Sequence, residues 1–439
     1  MGPVSSARDL IGLFRERWCD DFGWFEMKMR DDESRIDFVD LDAFAASGVP
    51  HDKLTRLRNE EPVFWHANPD GSGFWLISRH EDVMRISRDW KNFSSDMANG
   101  GILGLTDRER MMRDTEAATN TLITMDPPVH GKYRRFVAKA MLPSAIAKVE
   151  NHVRKISIEM IEAALEKDSV DFVDTIAAWI PLEALAELGD IPIPDRKQMF
   201  DYVNTIVGPD DPEFARTPEQ LGEATASLRN FCIELYRSRH ASPGDNILSM
   251  MIDGRVDGEP VSEDRVVSFF ELLLTAGSET TQTAITHGAL AFARFPDQFQ
   301  IVREHPELLK SSAVEEILRW ATPVTYFRRG VMADCEIRGQ RIKAGETVMM
   351  CYASANRDER VFDNPFSFDV QRQSNPHVSF GGRGPHHCLG ANLARMELRV
   401  FFEELSKRVS EIRLIGQPDY LRSNLTNGIK HLNVSFQPA

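Results

Sequence analysis

The stretch from Ser262 to Phe295 constrains the fold most, because it is long and apolar at helical spacing. Phe269, Phe270, Leu272, Leu273 and Leu274 crowd its first half, and a helix this long and this apolar belongs in the middle of a protein. Ser262 and Arg265 form an imperfect capping box at its start, with Arg where the usual acid would stand. Around it the chain is helical by period from about 143 to 310, with breaks expected near Pro181, at 191–195 and at Gly208–Pro212. Upstream, residues 61–90 read as two short strands and a helix, and 91–124 as irregular. Asp126-Pro127-Pro128 sets a non-helical entry to a helix over Val129–Met141. Beyond 321 come strand-like pieces: CEIRG, QRIKAGETVMMCYAS and HLNVSF. The fold class is mainly α with small β-sheets at one side.

No linker, repeat or charge block divides the 439 residues, so 35–439 reads as one domain behind an N-terminal arm, 1–34. Segment 8–27 mixes charges with Phe14, Trp18, Trp24 and Phe25, which suits an amphipathic arm folded onto the domain. The first thirty residues hold neither a signal-peptide core nor a membrane-spanning run of about 20 residues, so a cytoplasmic protein without a membrane anchor is expected. Cys19, Cys232, Cys335, Cys351 and Cys388 are widely spaced with no CxxC pair, which argues against a disulfide framework and for reduced thiols. A net charge of −15 argues against a general nucleic-acid binder.

Four stretches carry chemistry. Residues 380–390, FGGRGPHHCLG, precede a helical segment, ANLARMELRVFFEEL. A Gly-rich loop lets backbone approach a flat cofactor, and a cysteine at the mouth of a helix gains from its free N–H groups. A thiolate ligand would push electron density onto haem iron. The same residues also admit a buried free cysteine, or zinc held by His377, His386, His387 and Cys388. The second stretch is Thr275-Ala276-Gly277-Ser278-Glu279-Thr280-Thr281, inside the long helix. Residues so poor in helix propensity suggest a groove where water enters the ladder, and an acid beside an alcohol could relay protons. A Ser/Thr turn bonding its own carbonyls is the other reading. Third, Glu316 and Arg319 lie three apart among apolar neighbours, as a structural ion pair would. Fourth, His130, Arg134 and Arg329 suit carboxylate ligands.

Together these residues resemble the cytochrome P-450 family over about residues 35–437. The Cys388 loop resembles its haem-binding loop, Glu316 and Arg319 its glutamate-x-x-arginine motif, and Ala276 to Thr281 its oxygen-activation motif. The resemblance implies haem b with Cys388 as the proximal iron ligand. It places His130, Arg134, Arg329 and His386 on the propionates, and Ala276, Phe380, Gly382 and Gly390 against the cofactor. Glu279 and Thr280 would deliver protons, while Glu316 and Arg319 would hold the cysteine loop. Here Phe380 stands eight residues before the cysteine instead of seven, so its packing role is open.

The longer loop, with ITHGALA, RWATPV and NGIKHLNVSF, is similar to bacterial members that oxidise sterol side chains and methyl-branched lipids. A steroid, terpenoid or branched fatty chain is therefore the expected substrate, hydroxylated with O2. Expected substrate contacts are Leu272, Ala276, Val324, Thr325, Tyr326 and Leu425, together with parts of 93–124 and 183–215. The chain has no dinucleotide fingerprint and no ferredoxin cysteine pattern, so electrons would come from an external iron–sulfur ferredoxin and its NAD(P)H reductase. Lys132 and Arg135 are candidates to steer that partner onto a monomeric enzyme. A haem-thiolate peroxygenase and a non-catalytic haem or lipid sensor are the rival readings.

Overall fold

The long apolar segment forms an uninterrupted α-helix, Glu263–Arg294, in a computed structural model that describes residues 36–106, 121–214 and 217–439. The arm 1–34, Cys19 and residues 107–120 of the irregular stretch lie outside the described residues. Ser262 accepts the Arg265 N–H at 3.4 Å, so the backbone half of the capping box forms. At about 1.5 Å per residue the helix runs about 48 Å. The helices Trp179–Gly189, Pro218–Ala241, Ser312–Ala321 and Ala391–Arg408 pack around it. Burial on all sides is what its apolar composition requires.

The structure departs from the sequence pattern in two places. Pro181 breaks nothing: it sits in the first turn of Trp179–Gly189, where an intrahelical N–H is not needed. The irregularity falls before it, as a wide turn at Val173–Ala177. The helix after Asp126-Pro127-Pro128 spans Val129–Ala138 and tightens into a 3-10 turn over Lys139–Met141.

Five short strands make the main sheet: β1 (Val63–Ala67), β2 (Gly73–Ile77), β3 (Phe93–Ser94), β4 (Tyr326–Val331) and β5 (Thr347–Cys351), in the order β1-β2-β5-β4-β3. β5 runs parallel to β2 and antiparallel to β4, with Val348 opposite Arg329. Side chains alternate across a strand. Phe327 and Arg329 therefore face the interior cavity described below, while Arg328 turns away and donates to Gly104 O (2.6 Å) and Thr347 Oγ1 (3.0 Å). Smaller sheets at the C-terminal side pair Val409–Leu414 with Asn433–Pro438, and Asp419–Tyr420 with Ile429–His431.

The segment leading to the cysteine has almost no regular structure, yet it is fixed from below by one carboxylate. Glu316 is fully buried and accepts from Arg319 Nε (2.8 Å) and Nη2 (2.7 Å), Arg372 Nε (3.0 Å), Asn375 Nδ2 (3.0 Å) and the Asp369 N–H (2.9 Å). Arg319 in turn donates to the carbonyls of Asn356, Pro365 and Ser367. Arg372, which the sequence pattern did not single out, reaches Asp363 O at 2.6 Å. Removing one partner of a buried pair leaves the others uncompensated and costs about 3–5 kcal/mol. Glu316→Ala strands two guanidinium groups, so chemical denaturation should show a loss of about that size, with release of the cysteine segment to proteolysis.

Candidate functional site

Between the central helix and the helix Ala391–Arg408 lies a cavity lined from both. Leu122, Ile123, Leu185, Phe269, Leu272, Leu273, Val324 and Phe327 give it an apolar wall. The opposite wall is the loop 379–390, with Cys388 in it. Ala276, Thr280, Phe380, Gly382 and Gly390, all singled out from the sequence, line the same space.

The loop is held on three sides. Ser379 Oγ donates to Leu318 O (2.8 Å), and Val378 N–H to Asn356 Oδ1 (2.8 Å). The Cys388 N–H closes back on Phe380 O at 2.8 Å. Arg383 (φ 57°) and Gly381 (φ 80°) take left-handed conformations, which turn the loop back on itself. The Phe380 ring keeps a packing role, with the Arg395 guanidinium over its face at 4.6 Å. Arg395 also pairs with Glu315, which bonds His377 as well, so the acid is pulled down to about 2 despite its burial. On the third side Gly384 lies against the end of the helix His80–Arg88, where a Cβ would fall 1.6 Å from Ser87 O.

Cys388 is accessible because it faces this cavity, not because it reaches the outer surface. Burial raises its thiol, opposed by the Gly390 N–H and by Arg134 and Arg395. The helix mouth thus helps the thiolate as expected, but burial outweighs it, and a cationic ligand partner is needed to hold the ionised sulfur.

His130 and His386 lie together at the cavity edge with ring centroids 4.2 Å apart and planes tilted by 36°. Burial and the neighbouring cations push them down, His130 to about 4 and His386 to about 2, so both rings are neutral. Both ring nitrogens of His130 and Nε2 of His386 are buried without a protein partner. Arg329 is fully enclosed beside them, and Arg134 donates to His387 O at 2.6 Å. A buried unpaired polar group costs about 1–3 kcal/mol. Two imidazoles and two guanidiniums so placed suit a pair of carboxylates entering with a large flat ligand.

The zinc alternative does not fit. His377 is turned to Glu315, His386 to His130, and His387 Nδ1 lies 3.4 Å from Gly381 O. Among the described residues the acid and histidine groups close enough to share an ion are Asp171–Asp174–His431 and Glu213–Asp419–His431, away from this loop.

The cytochrome P-450 family model matches residues 151–408, more than half of the chain. This chain belongs to the cytochrome P-450 family. It is 41% identical to linalool 8-monooxygenase of Pseudomonas putida over 392 residues, covering 89% of this chain and 96% of that protein. It is 36% identical to steroid C26-monooxygenase of Mycolicibacterium smegmatis over 413 residues, 92% of this chain and 95% of that one. A P-450 of Mycobacterium marinum solved with pseudoionone superposes with a TM-score of 0.82 at 34% identity, covering 90% of this chain and 97% of that one. The protein is a P-450 monooxygenase whose cofactor is haem b, and the donor set above fits that group. No helix among the described residues is long and apolar enough to cross a membrane.

Several residues expected at the site fall elsewhere. Leu272, Ala276 and Val324 line the cavity, but Thr325, Tyr326 and Leu425 do not. The Thr325 N–H bonds Leu425 O at 2.8 Å, and Tyr326 packs edge-on to Phe38, so these residues support the wall from behind. The expected groove in the central P-450 helix is absent: Thr275, Ser278 and Thr280 donate to the carbonyls four residues back, at 2.9, 2.6 and 2.7 Å. Glu279 is not in the lining either. Its Oε1 accepts from Thr283 Oγ1 at 3.4 Å, and burial raises the carboxyl to about 7.

One acid at the site was not expected from the sequence. Glu397 is 1% exposed, lines the cavity, and has an Oε2 without a partner; burial alone pushes it well above the usual carboxyl range. The signal for it is spacing: Gly390, Leu393, Ala394 and Glu397 share one face, and an acid at the fourth of those positions is out of pattern.

Gly384→Ala tests how tightly the loop docks. Overpacking against backbone costs about 1–3 kcal/mol, so haem affinity should drop about tenfold or more, measured by haem transfer to an acceptor protein.

Proposed function

We propose that this P-450 inserts one oxygen atom into a C–H bond of a neutral apolar substrate of terpenoid or steroid type, with electrons from an external ferredoxin. The observation that carries the reading is the apolar wall of Leu272, Leu273, Phe269, Val324 and Phe327 set opposite Cys388. The likeness to a linalool and a steroid monooxygenase supports it. Haem b, bound through Cys388 Sγ, supplies the redox chemistry, R–H + O2 + two electrons + two protons → R–OH + H2O.

The chain's own residues do the rest. His130, His386, Arg134 and Arg329 bind the cofactor's carboxylates and so fix its orientation. The aliphatic wall orients the substrate by shape and excludes water. Thr280 Oγ1 spends its proton on Ala276 O, so towards the cavity it acts as an acceptor that orders a water. Glu279, the adjacent residue about 100° around the helix, holds the proton to be delivered. Its carboxyl is protonated below about pH 7 and ionised above, so turnover falls as pH rises through that value. Glu316 and Arg319 hold the cysteine segment and touch nothing that reacts.

The two cations expected to steer a redox partner are not equally free to do so. Lys132 Nζ is paired with Asp257 at 2.5 Å, while Arg135 is exposed. Arg135 is the better candidate to attract an acidic ferredoxin. Arg135→Glu should slow reduction by ferredoxin at low ionic strength, less so in high salt, and leave dithionite reduction unchanged.

The direct test is an absorption spectrum of dithionite-reduced protein under carbon monoxide, for wild type and Cys388→Ser. A strongly red-shifted Soret band lost in the variant supports the thiolate ligand, and a histidine-type band in wild type sinks it. Titration of linalool and steroids into the ferric protein then ranks substrates; no spectral response to either class removes the substrate proposal. Glu279→Gln should bind substrate normally and turn over about a hundredfold more slowly, the lower range for loss of a general acid.

A further inference from the structure

Hydroxyls on the central helix mostly bond their own backbone: those of Thr275, Ser278, Thr280 and Thr286 each donate to the carbonyl four residues back. Thr283 uses its hydroxyl differently and donates it to Glu279 Oε1. One turn further, His287 Nε2 donates to Asn427 O at 2.7 Å. Glu279, Thr283 and His287 are spaced by four and share one helix face.

Asn427 is anchored from two other directions. Its N–H bonds Pro323 O at 2.9 Å and its Nδ2 bonds Ala321 O at 2.6 Å. The next residue, Gly428, is thereby seated directly on the acid. A Cβ there would stand 3.1 Å from Glu279 Oε1, and 2.9 and 3.0 Å from the Leu421 side chain, so an added methyl would press on both.

We propose that Thr283, His287 and Gly428 are positioning residues for Glu279: Thr283 holds its carboxyl, and His287 pins the Asn427–Gly428 turn over it as a dry cover. The inference rests on the reading of Glu279 as proton donor. The two devices act in opposite senses. A hydrogen bond from Thr283 favours the ionised form, while the cover removes water and favours the neutral form. Burial is the larger influence on this carboxyl and Thr283 the opposing one.

Other charges nearby are engaged elsewhere. Lys430, on the hairpin that carries Gly428, pairs with Asp211, Glu213 and Asp419. His431 bridges Asp171 and Glu213, and Arg422 pairs with Asp42. On the central helix Glu271 pairs with Arg229, and burial holds His287 neutral at about 4. Among the described residues no charged side chain counts among the influences on Glu279.

The test is an infrared pH titration of the haem-loaded ferric protein, following the carboxylic-acid band that Glu279→Gln removes. Thr283→Val should raise the midpoint by about one pH unit, a tenfold change in acidity constant, and Thr283→Ser should restore it. Gly428→Ala pushes the cover off and should lower the midpoint towards the ordinary glutamate value of about 4.3; His287→Phe should do the same. Retention of the reduced carbon monoxide band shows that each variant folds. Midpoints that stay put, or that move the same way in Thr283→Val and Gly428→Ala, overturn the proposal. Wild-type turnover in Glu279→Gln would instead overturn the donor role, while the midpoints still report whether these residues hold the carboxyl.

Discussion

The structure depends on the Glu316 carboxylate more than on any other single group. Its two oxygens collect donors from a helix, from the meander 356–375 and from the approach to the cysteine loop. That meander has few regular hydrogen bonds of its own, and buried backbone carbonyls must be satisfied somehow. Arg319 and Arg372 satisfy them, at Asn356, Asp363, Pro365 and Ser367. The carboxylate is what keeps two buried guanidiniums tolerable. The position of Cys388 therefore follows from a charge balance on the far side of the loop that presents it.

The cavity itself has a different charge logic. Its edge concentrates Arg134, Arg329, His130 and His386 with little anionic compensation from the chain, and burial responds by holding both imidazoles neutral. Such an arrangement is expensive in an isolated protein and is relieved by a dianionic ligand. Apoprotein stability and cofactor affinity are thus linked through these four residues.

Much of this is legible in the sequence because it is local. The long helix declares itself by one continuous apolar run, the cysteine loop within eleven residues and the pair Glu316/Arg319 within one helical turn. Expectation and structure part where the decisive information is a facing direction. Arg329 fixes the register of β4, so by alternation Phe327 belongs in the cavity and Tyr326 does not. The groove expected at Thr275–Thr281 fails for another reason: propensity marks these residues as unfavourable in a helix, but their hydroxyls bond the preceding turn and let it continue. Glu279's cover comes from residue 428, far along the chain, and no local pattern could supply it.

One physical condition unites substrate choice and proton supply. The apolar wall that admits a hydrocarbon substrate also denies water to Glu397, while the Asn427–Gly428 turn denies it to Glu279, and low polarity raises a carboxyl whichever helix carries it. Glu279 on the central helix and Glu397 on the helix after the cysteine are both shifted upward by burial, from opposite sides. A neutral acid is a proton donor at a pH where a solvated one is spent. It follows that the wall cannot be made polar without also easing the ionisation of Glu397, whereas Glu279 answers to its own cover. Substrate choice is set by the wall and proton supply by the cover, so a substitution at Leu272 or Leu273 acts first on specificity and one at Gly428 on coupling.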